Sequence, residues 1–380
     1  MNPTNLSSQT NLRIQSPYLK SLATTLPPHH IDQSEASDLA MQLVEESEEK
    51  RRLIPVLYRR SGVARRHSVL LDSSSGAEPA QQNFYQPTQS EIDRGPTISE
   101  RMAIYERAAR ELAVQTASRS LQQSGVSPEE ITHLVTVSCT GFSAPGFDIG
   151  LINDLGLNRH LSRTHIGFMG CHGAFNGLKV MKSFLDSDPD ACVMLCATEL
   201  CSLHQQYGWD QEKIVANSLF ADGAACLVVR ARDLSSAIPG NFVHVESTSY
   251  VIPDSEDLMS WNIGDHGFEM TLSSQLPGLI RRELRPWLEQ WLQEQGITLE
   301  EVGSWAVHPG GPRILQACEE ALGLEEDALA VSRQVLQECG NMSSPTVLFI
   351  LQRLQQMTAP TPCVMLGFGP GITAEAALWM

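Results

Sequence analysis

Short apolar runs rich in β-branched residues alternate with amphipathic helical patterns along most of this chain. The runs HLVTVSCT, DACVMLCATEL, AACLVVRA and SWAVHP resemble buried strands in length and composition, and NFVHVESTSYVI alternates as a strand does. Helical patterns occupy PGLIRRELRPWLEQWLQEQG, PRILQACEEALG and SSPTVLFILQRLQQM, whereas TPCVMLGFGPGITAEAALWM indicates two strands around a glycine turn. This alternation predicts an α/β protein with a mainly buried sheet.

The two halves of the chain follow a similar plan, in which a strand, a polar turn and a buried helix succeed one another. A chain of 380 residues is long enough for two domains or for one duplicated domain. We therefore expect an internal duplication with its boundary near 233–240, which divides the chain into residues 1–236 and 237–380. The first ~15 residues are polar and are expected to be disordered.

Start and stop signals in the sequence predict one long helix, which follows an irregular loop. Thr97-Ile98-Ser99-Glu100 forms a capping box, apolar residues recur to about Leu121, and Gly125 ends the pattern. The preceding stretch 72–96 is rich in Gly, Pro, Ser and Gln, which predicts a long irregular loop.

The charge and cysteine content restrict the partners and the compartment. A formal net charge of −17 disfavours nucleic acid over most of the surface. No apolar run approaches the roughly 20 residues of a membrane-spanning helix, and the N-terminus lacks the features of a secretory signal. Nine cysteines without a CxxC pair favour reduced thiols in the cytoplasm. No metal site is expected.

A basic segment interrupts this acidic chain. Residues 50–66, KRRLIPVLYRRSGVARR, carry seven of the 27 lysines and arginines and no acidic residue. A concentrated cationic patch could capture a small polyanion such as a nucleotide or a coenzyme. A solvated helix face balanced by the preceding EESEE explains the pattern equally well.

Cys171 lies between glycines at the start of an amphipathic helical pattern, in GFMGCHGAFNGLKV. A helix N-terminus stabilises a thiolate, so this position predicts a lowered pKa and a reactive thiol. Gly170 and Gly173 would allow a substrate or another backbone to approach closely. The alternative is a buried structural cysteine, which is the commonest fate of a free thiol.

Two further turns carry residues that could complete a site with this thiol. His308 follows a short apolar strand and precedes a glycine pair, and strand ends are where α/β folds bring side chains to ligands. Asn341 lies in a turn that opens a buried helix, where it could also act simply as an N-cap. His165 and His204 could be core or pocket residues whose ring nitrogens are hydrogen-bonded. His172 directly follows Cys171, so its side chain would point in a different direction at the start of the helix.

Cys, His and Asn at three element ends suggest acyl-transfer chemistry. The imidazole would accept the thiol proton, and the asparagine would donate to a developing oxyanion. Papain-like proteases use the same order of residues, but their local signature around the cysteine is absent here.

Five segments together resemble the type III polyketide synthases, the chalcone synthase-like enzymes, and in particular those of bacteria. These segments are GFMGCHGAFNGLKV, LFADGAA, WAVHPGGPRIL, GNMSSPTVLFIL and GFGPGITAE. They occur in the family's order, and the resemblance runs from roughly Arg51 to the C-terminus.

The resemblance implies a thiolase-like α/β fold, with two duplicated α/β halves in a layered αβαβα arrangement, in a homodimer. It implies decarboxylative condensation of malonyl-CoA onto an acyl-CoA starter, followed by cyclisation, with coenzyme A thioesters as substrates and no cofactor. Cys171 falls on the acyl-carrying nucleophile, and His308 and Asn341 fall on the other two catalytic positions. Two alternatives remain open: a ketoacyl-ACP synthase III-like enzyme that uses an acyl carrier protein, and a scaffold that has lost catalysis.

The resemblance also assigns residues to the substrate cavity and to coenzyme A. The cavity positions are Phe220, Met270, Trp261, Cys139, Cys201, His204, Ala144 and Ser343. Phe220 is the gatekeeper; Met270 stands where many plant enzymes have a second gatekeeper phenylalanine, and Ala144 where they extend a methionine into the partner's cavity. Cysteines in place of hydroxyls and a flexible methionine predict an apolar, adaptable cavity suited to an aliphatic starter. For coenzyme A, Arg60 aligns with a cationic contact, and Arg51, Arg52 and Arg313 are further candidates.

Overall fold

The computed structural model describes residues 15–233, 242–325 and 327–380. The helices are α1 Gln33–Gln42, α2 Glu48–Arg51, α3 Ile54–Arg60, α4 Ile98–Ser124, α5 Phe147–Leu155, α6 Gly173–Ser187, α7 Gln211–Leu219, α8 Leu276–Glu294, α9 Pro312–Leu322, α10 Ala330–Cys339 and α11 Thr346–Gln356. The strands are β1 Gln15–Thr25, β2 His30–Asp32, β3 Arg65–His67, β4 His133–Ser138, β5 Ser162–Gly167, β6 Cys192–Leu200, β7 Asp222–Asp233, β8 His244–Val251, β9 Met259–Gly264, β10 Gly267–Leu272, β11 Ser304–Val307, β12 Cys363–Gly369 and β13 Thr373–Trp379.

Two sheets contain the strands that the apolar runs predict. The first has five strands in the order β1-β7-β6-β4-β5, with β4 parallel to β5 and β6, and β7 antiparallel to β6 and β1. The second has the order β11-β12-β13-β8, in which β11 and β12 are parallel and the other pairs antiparallel. The short pairs β2–β3 and β9–β10 lie outside both sheets. The predicted α/β class is confirmed.

Helices form three layers around these sheets. The helices α6 and α11 are buried between the sheets, in one apolar cluster with residues of β4, β6, β7, β12 and β13. The helices α4 and α5 cover the outer face of the first sheet, and α8 and α9 cover the outer face of the second. The order helix, sheet, helix, sheet, helix confirms the predicted αβαβα layering. No helix in the described ranges is long and apolar enough to cross a membrane.

The two central helices begin side by side. A Cβ placed on Gly173, the first residue of α6, would lie 3.6 Å from Cβ of Ser344, just before α11. Each central helix follows a strand–helix unit, β4–α5 in the first half and β11–α9 in the second. The duplicated plan therefore brings equivalent loops of both halves to one place. Most of the predicted boundary at 233–240 lies outside the described residues, as do the first 14 residues, which we expected to be disordered.

The predicted boundaries of α4 are confirmed, whereas the strand β1 and the β9–β10 hairpin were not predicted. Thr97 and Glu100 form the capping box, and Gly125 ends the helix in the left-handed conformation with φ 66°. The stretch 72–96 contains no helix or strand. Sequence patterns did not reveal β1, at the edge of the first sheet, or the β9–β10 hairpin, because neither shows clear periodicity.

Candidate active site

Cys171 lies in a tight 3-10 turn, Gly170–His172, rather than in the first turn of the helix. The helix α6 begins two residues later, at Gly173. Two residues just before Cys171 have the left-handed backbone conformation: Phe168 has φ 61° and Gly170 has φ 67°. A Cβ on Gly170 would also lie 2.6 Å from Cδ of Pro370, in the loop between β12 and β13, so only glycine fits there.

The thiol of Cys171 is not acidified by its position, contrary to the sequence-based expectation. Burial raises its pKa to about 11, and this outweighs the hydrogen bonds from Ser343 and Asn341, which lower the pKa. Desolvation disfavours a thiolate, and the carboxylate of Glu199 adds to this effect. A base is therefore needed to ionise this thiol at neutral pH.

His308 directly follows β11 and is 2% exposed. Its backbone N–H donates to Leu366 O at 2.8 Å, which fixes the turn against β12. Neither ring nitrogen has a hydrogen-bond partner among the described residues. Burial, together with the nearby His172, lowers the pKa of His308 to about 3, so the ring is neutral at pH 7. A neutral imidazole with unpaired nitrogens can both accept and donate a proton.

Asn341 does not cap α11, because that helix begins at Thr346 after Pro345. Its Oδ1 accepts a hydrogen bond from the backbone N–H of Ser343 at 2.8 Å. A backbone N–H can only donate, so this contact fixes the orientation of the side-chain amide. The Nδ2 group is left to donate to the Cys171 thiol or to a substrate oxygen.

Cys171, His308 and Asn341 line one small cavity together with Phe220 and Met270. Asn341 and Phe220 are also joined through the backbone: Asn341 N–H donates to Leu219 O at 2.8 Å, and Ala221 N–H donates to Asn341 O at 2.9 Å. The three residues that sequence analysis selected from separate turns thus meet where the two halves converge. A nucleophile, a proton acceptor and an amide donor can act there on one thioester.

A second, larger cavity adjoins the first. Its volume is about 80 Å³, compared with about 20 Å³ for the cavity at Cys171, and Phe220 and Met270 line both. Cys201, His204 and Trp261 belong to its wall. Phe220 and Met270 therefore stand between the thiol and this further space.

His204 is a neutral wall residue with both nitrogens paired. Its Nε2 donates to Thr140 O at 2.7 Å, and its Nδ1 accepts from the backbone N–H of Phe268 at 3.0 Å. The ring stacks on Phe268 with centroids 4.1 Å apart. Burial lowers the pKa of His204 to about 3, so it carries no charge at neutral pH.

Three predicted cavity residues do not line either cavity. Cys139 and Ser343 are buried, with Cys139 Sγ 3.2 Å from Ser343 Oγ, and Ser343 also forms a hydrogen bond with the Cys171 thiol. Trp261 Nε1 donates to Cys139 O at 2.7 Å and fixes this loop to β9. Ala144 is exposed at the surface.

Glu199, which sequence analysis missed, connects the surroundings of the thiol. This fully buried carboxylate accepts hydrogen bonds from Cys139 N at 2.9 Å, Thr140 Oγ1 at 2.7 Å and Ser344 Oγ at 2.6 Å. It therefore joins the loop after β4 to the start of α11. The sequence did contain a signal for this residue, because a glutamate in the predicted buried strand CATEL must find hydrogen-bond partners in the core.

His165 and His172 have structural surroundings. His165 Nδ1 lies 2.9 Å from Thr136 Oγ1. His172 is buried with Nδ1 3.7 Å from Glu375 Oε1, and its ring fills the space beside Gly369, where a Cβ would lie 1.6 Å from the ring. Gly369 is therefore required for the turn that carries Cys171 to pack against β12.

The candidate coenzyme A residues fall into two groups. Arg52 pairs with Glu48 at 3.0 Å, and Arg51 donates to Met41 O at 3.2 Å, as expected for a solvated helix face. Arg60 and Arg313 make no ion pair within the described part of the chain. Their helices meet, because a Cβ on Gly62 would lie 2.9 Å from Cγ of Pro312.

The layered sheets and the thiol–imidazole–amide cavity define an acyltransferase of the thiolase-like fold. The family model "Chalcone and stilbene synthases, N-terminal domain" matches residues 9–233, and the model of the C-terminal domain of the same enzymes matches residues 244–380. The chain therefore belongs to the chalcone and stilbene synthase family. The match begins well before Arg51, so the resemblance covers more of the N-terminal region than the motifs indicated.

Relatives of known name agree with this assignment. The alpha-pyrone synthesis polyketide synthase-like Pks18 of Mycobacterium tuberculosis is 31% identical over 367 residues, 95% of this chain and 90% of the relative. The 1,3,6,8-tetrahydroxynaphthalene synthase of Streptomyces peucetius is 32% identical over 359 residues, 93% of this chain and 90% of the relative. The chain is thus an enzyme of the type III polyketide synthase class, and these relatives do not favour the carrier-protein-dependent alternative.

Solved structures give the same fold. The crystal structure of PKS-I from the brown alga Ectocarpus siliculosus matches with a TM-score of 0.89 and 29% identity, covering 96% of this chain and 98% of that one. The C-terminal type III polyketide synthase domain of Steely1 from Dictyostelium matches with a TM-score of 0.84 over 96% and 99% of the two chains. At 24% identity, the second comparison concerns the fold alone.

Proposed function

We propose that this enzyme condenses malonyl-CoA units onto an aliphatic acyl-CoA starter held as a thioester on Cys171, and then cyclises the chain to a pyrone, resorcinol or phloroglucinol-type product. The observation that carries the proposal is the meeting of Cys171, His308 and Asn341 in one apolar cavity. Each performs a step with groups that the chain supplies, so no cofactor is required.

Loading of the starter begins with ionisation of the thiol. His308 accepts the proton of Cys171, and the thiolate attacks the carbonyl carbon of the starter thioester. The carbon–sulfur bond to coenzyme A breaks, and the proton leaves with the coenzyme A thiol. The raised pKa of Cys171 makes this proton transfer necessary at neutral pH.

Extension uses the same residues as hydrogen-bond donors. Asn341 Nδ2 and a His308 N–H donate to the thioester oxygen of malonyl-CoA and stabilise the enolate that forms as CO₂ leaves. The enolate carbon attacks the acyl carbonyl on Cys171, whose thiolate is released for the next round. Phe220 cannot hydrogen-bond the malonyl carboxylate, so the cavity favours its conversion to neutral CO₂.

The coenzyme A moiety is held by Arg60 and Arg313, whose charges are unpaired in the described ranges and whose helices meet at Gly62 and Pro312. Phosphate groups are suited to guanidinium donors. Arg51 and Arg52 contribute to the positive field from a more distant position. The reaction takes place in the cytoplasm, since all nine cysteines are free and buried.

The second cavity receives the growing chain. Leu39, Leu43 and Leu71 belong to its lining, which also contains polar residues such as Gln205 and Lys213. An aliphatic chain displaced past Phe220 would therefore find apolar contacts on part of the wall. Residues 1–236 and 237–380 form the two halves, one carrying the nucleophile and the other His308 and Asn341.

The decisive experiment is turnover with malonyl-CoA and a series of starters, from acetyl-CoA through long-chain acyl-CoA to coumaroyl-CoA, with products identified by mass spectrometry. We expect the highest kcat/KM for aliphatic starters, because the leucines and Met270 in the wall of the second cavity offer apolar contacts to an alkyl chain. Turnover with aromatic starters alone would contradict the aliphatic assignment. Absence of product from all starters, together with turnover of malonyl units delivered on a carrier protein, would contradict the proposal itself.

The chain assembles as a homodimer through the open edge of the first sheet. β5 has no strand partner on its outer side within the described residues, and Phe142 and Met169 beside it are 46% and 45% exposed. An unpaired edge flanked by exposed apolar side chains suits a second copy of the same surface. Ala144 lies in this surface region.

We expect Met169→Glu to convert the dimer into monomers, because a charge in an apolar interface is desolvated without a partner. Light scattering at micromolar concentration measures the mass. Met357→Glu is the matched control, since Met357 is a 67% exposed methionine at the far end of α11. A monomeric wild-type protein, or a Met169→Glu variant with unchanged mass, would contradict this interface.

A further inference from the structure

Arg66 is a buried cation in the wall of the second cavity, and the proposed mechanism gives it no role. It lies in β3, opposite Ile31 of β2, and is 8% exposed. Within the described residues its guanidinium has no hydrogen bond to a carboxylate, although Asp222 is near enough to favour the charged form. A buried charge without an ionic partner is costly, so the contacts that it does make matter.

The guanidinium caps the helix that leads to Phe220. Arg66 Nη1 donates to Phe220 O at 3.1 Å and also to Asn217 O. The helix α7 ends at Leu219, so its last carbonyl groups lack partners within the helix. A cation at a helix C-terminus satisfies these groups and the negative end of the helix dipole. Arg66 therefore fixes the backbone from which the Phe220 side chain projects.

The same side chain contacts the segment that carries Asn341. A Cβ on Gly340 would lie 3.1 Å from Arg66 Cγ, and Gly340 has φ 73°. Backbone hydrogen bonds join Asn341 to Leu219 and Ala221, on either side of Phe220. Arg66 thus contacts Phe220 through its guanidinium, and its aliphatic stem lies beside Gly340, the residue before Asn341.

We propose that Arg66 is a positioning residue that sets Phe220 and Asn341 relative to each other and so controls the extension step. This inference rests on the proposed function. Starter loading depends on Cys171, in the turn before α6, and on His308, directly after β11; among the described residues, neither forms a hydrogen bond with Arg66. Malonyl decarboxylation also needs the amide of Asn341 and the ring of Phe220. Arg66 binds the backbone of Phe220 and lies beside Gly340, which precedes Asn341. The two half-reactions should therefore respond differently to its replacement.

The test compares Arg66→Met and Arg66→Lys with the wild-type enzyme in two assays. Acylation of Cys171 by a starter acyl-CoA is followed by intact-protein mass in single turnover, and extension is followed by CO₂ release from malonyl-CoA. For Arg66→Met we expect extension to fall at least about tenfold and acylation by less than about twofold, since small displacements of positioned groups are costly. Arg66→Lys, which retains a donor and the charge, should recover part of the extension rate.

Leu288→Ala is the control for lost stability, because Leu288 is fully buried in α8, away from both cavities. Its ratio of extension to acylation should equal that of the wild type. Equal losses in both assays for the Arg66 variants, or no loss in either, would overturn the inference. If Arg66→Met does not fold, the same ratio in Arg66→Lys decides. A wild-type enzyme that neither acylates nor extends would instead refute the proposed function.

Discussion

His308→Gln should slow acylation of Cys171 by about 10²- to 10⁴-fold at pH 7, the usual contribution of a positioned general base. Burial raises the pKa of the Cys171 thiol to about 11, so only about one thiol in 10⁴ is ionised at pH 7 without assistance. The ring of His308, with no partner for either nitrogen in the described residues, supplies that assistance, because an adjacent thiolate raises the pKa of the imidazole and the imidazolium lowers the pKa of the thiol. Single-turnover acylation by an acyl-CoA, followed by intact-protein mass, measures the loss.

The sign of the pH dependence distinguishes a lost base from a distorted site. Below the pKa of the thiol, the thiolate fraction rises about tenfold for each pH unit. The rate of His308→Gln should therefore rise with that slope between pH 7 and pH 9, whereas the wild-type rate should change less. Cys171→Ala is the control and should give no acyl-enzyme at any pH. A uniformly low, pH-independent rate for His308→Gln would contradict the role of His308 as the base.

The parts of the fold that were predictable from sequence have strong local signals. The helix α4 is bounded by a capping box at Thr97 and by Gly125, and both act through neighbouring backbone groups. The central strands β4, β6 and β7 are mostly apolar in their middle residues because both of their faces are buried. The edge strand β1 was not predicted, because its residues QSPYLKSLATT show no clear alternation, and its partner β7 lies about 200 positions away in the sequence.

The pKa of Cys171 could not be predicted from the residues next to it in the sequence. Glycines and an amphipathic pattern located the turn, but they did not reveal that α6 begins only at Gly173. Desolvation by residues distant in sequence then determines the pKa. Glu199 and Arg66 were missed for the same reason: their partners, such as Ser344 and Phe220, come from other segments.

The sequence predicted which residues lie near the substrate cavities, but not which of them line the cavity walls. Phe220, Met270, Cys201, His204 and Trp261 do line the two cavities. Cys139 and Ser343 lie one layer behind, where they contact each other. A motif fixes which turn a residue occupies, whereas the direction of its side chain depends on packing between the two halves.

Asn341→Asp should reduce malonyl decarboxylation by about 10²- to 10³-fold, the range measured for the loss of one oxyanion donor. An aspartate keeps the size of the side chain and can still accept from Ser343 N–H, so the turn is preserved. Its second oxygen replaces the Nδ2 donor with an acceptor, which repels both the enolate and the malonyl carboxylate. CO₂ release from malonyl-CoA by the unacylated enzyme measures this step alone.

Acylation of Cys171 in Asn341→Asp should fall less than decarboxylation. The carboxylate raises the pKa of the neighbouring thiol further, but His308 still accepts the proton, and raising the pH should restore the thiolate. No increase in pH restores an amide donor, so decarboxylation should remain low from pH 7 to pH 9. In this one variant, acylation should therefore recover as the pH rises while decarboxylation does not. Equal losses in both, recovering together as the pH rises, would mean that Asn341 acts only by stabilising the thiolate of Cys171, and enolate stabilisation would have to be assigned to His308 alone.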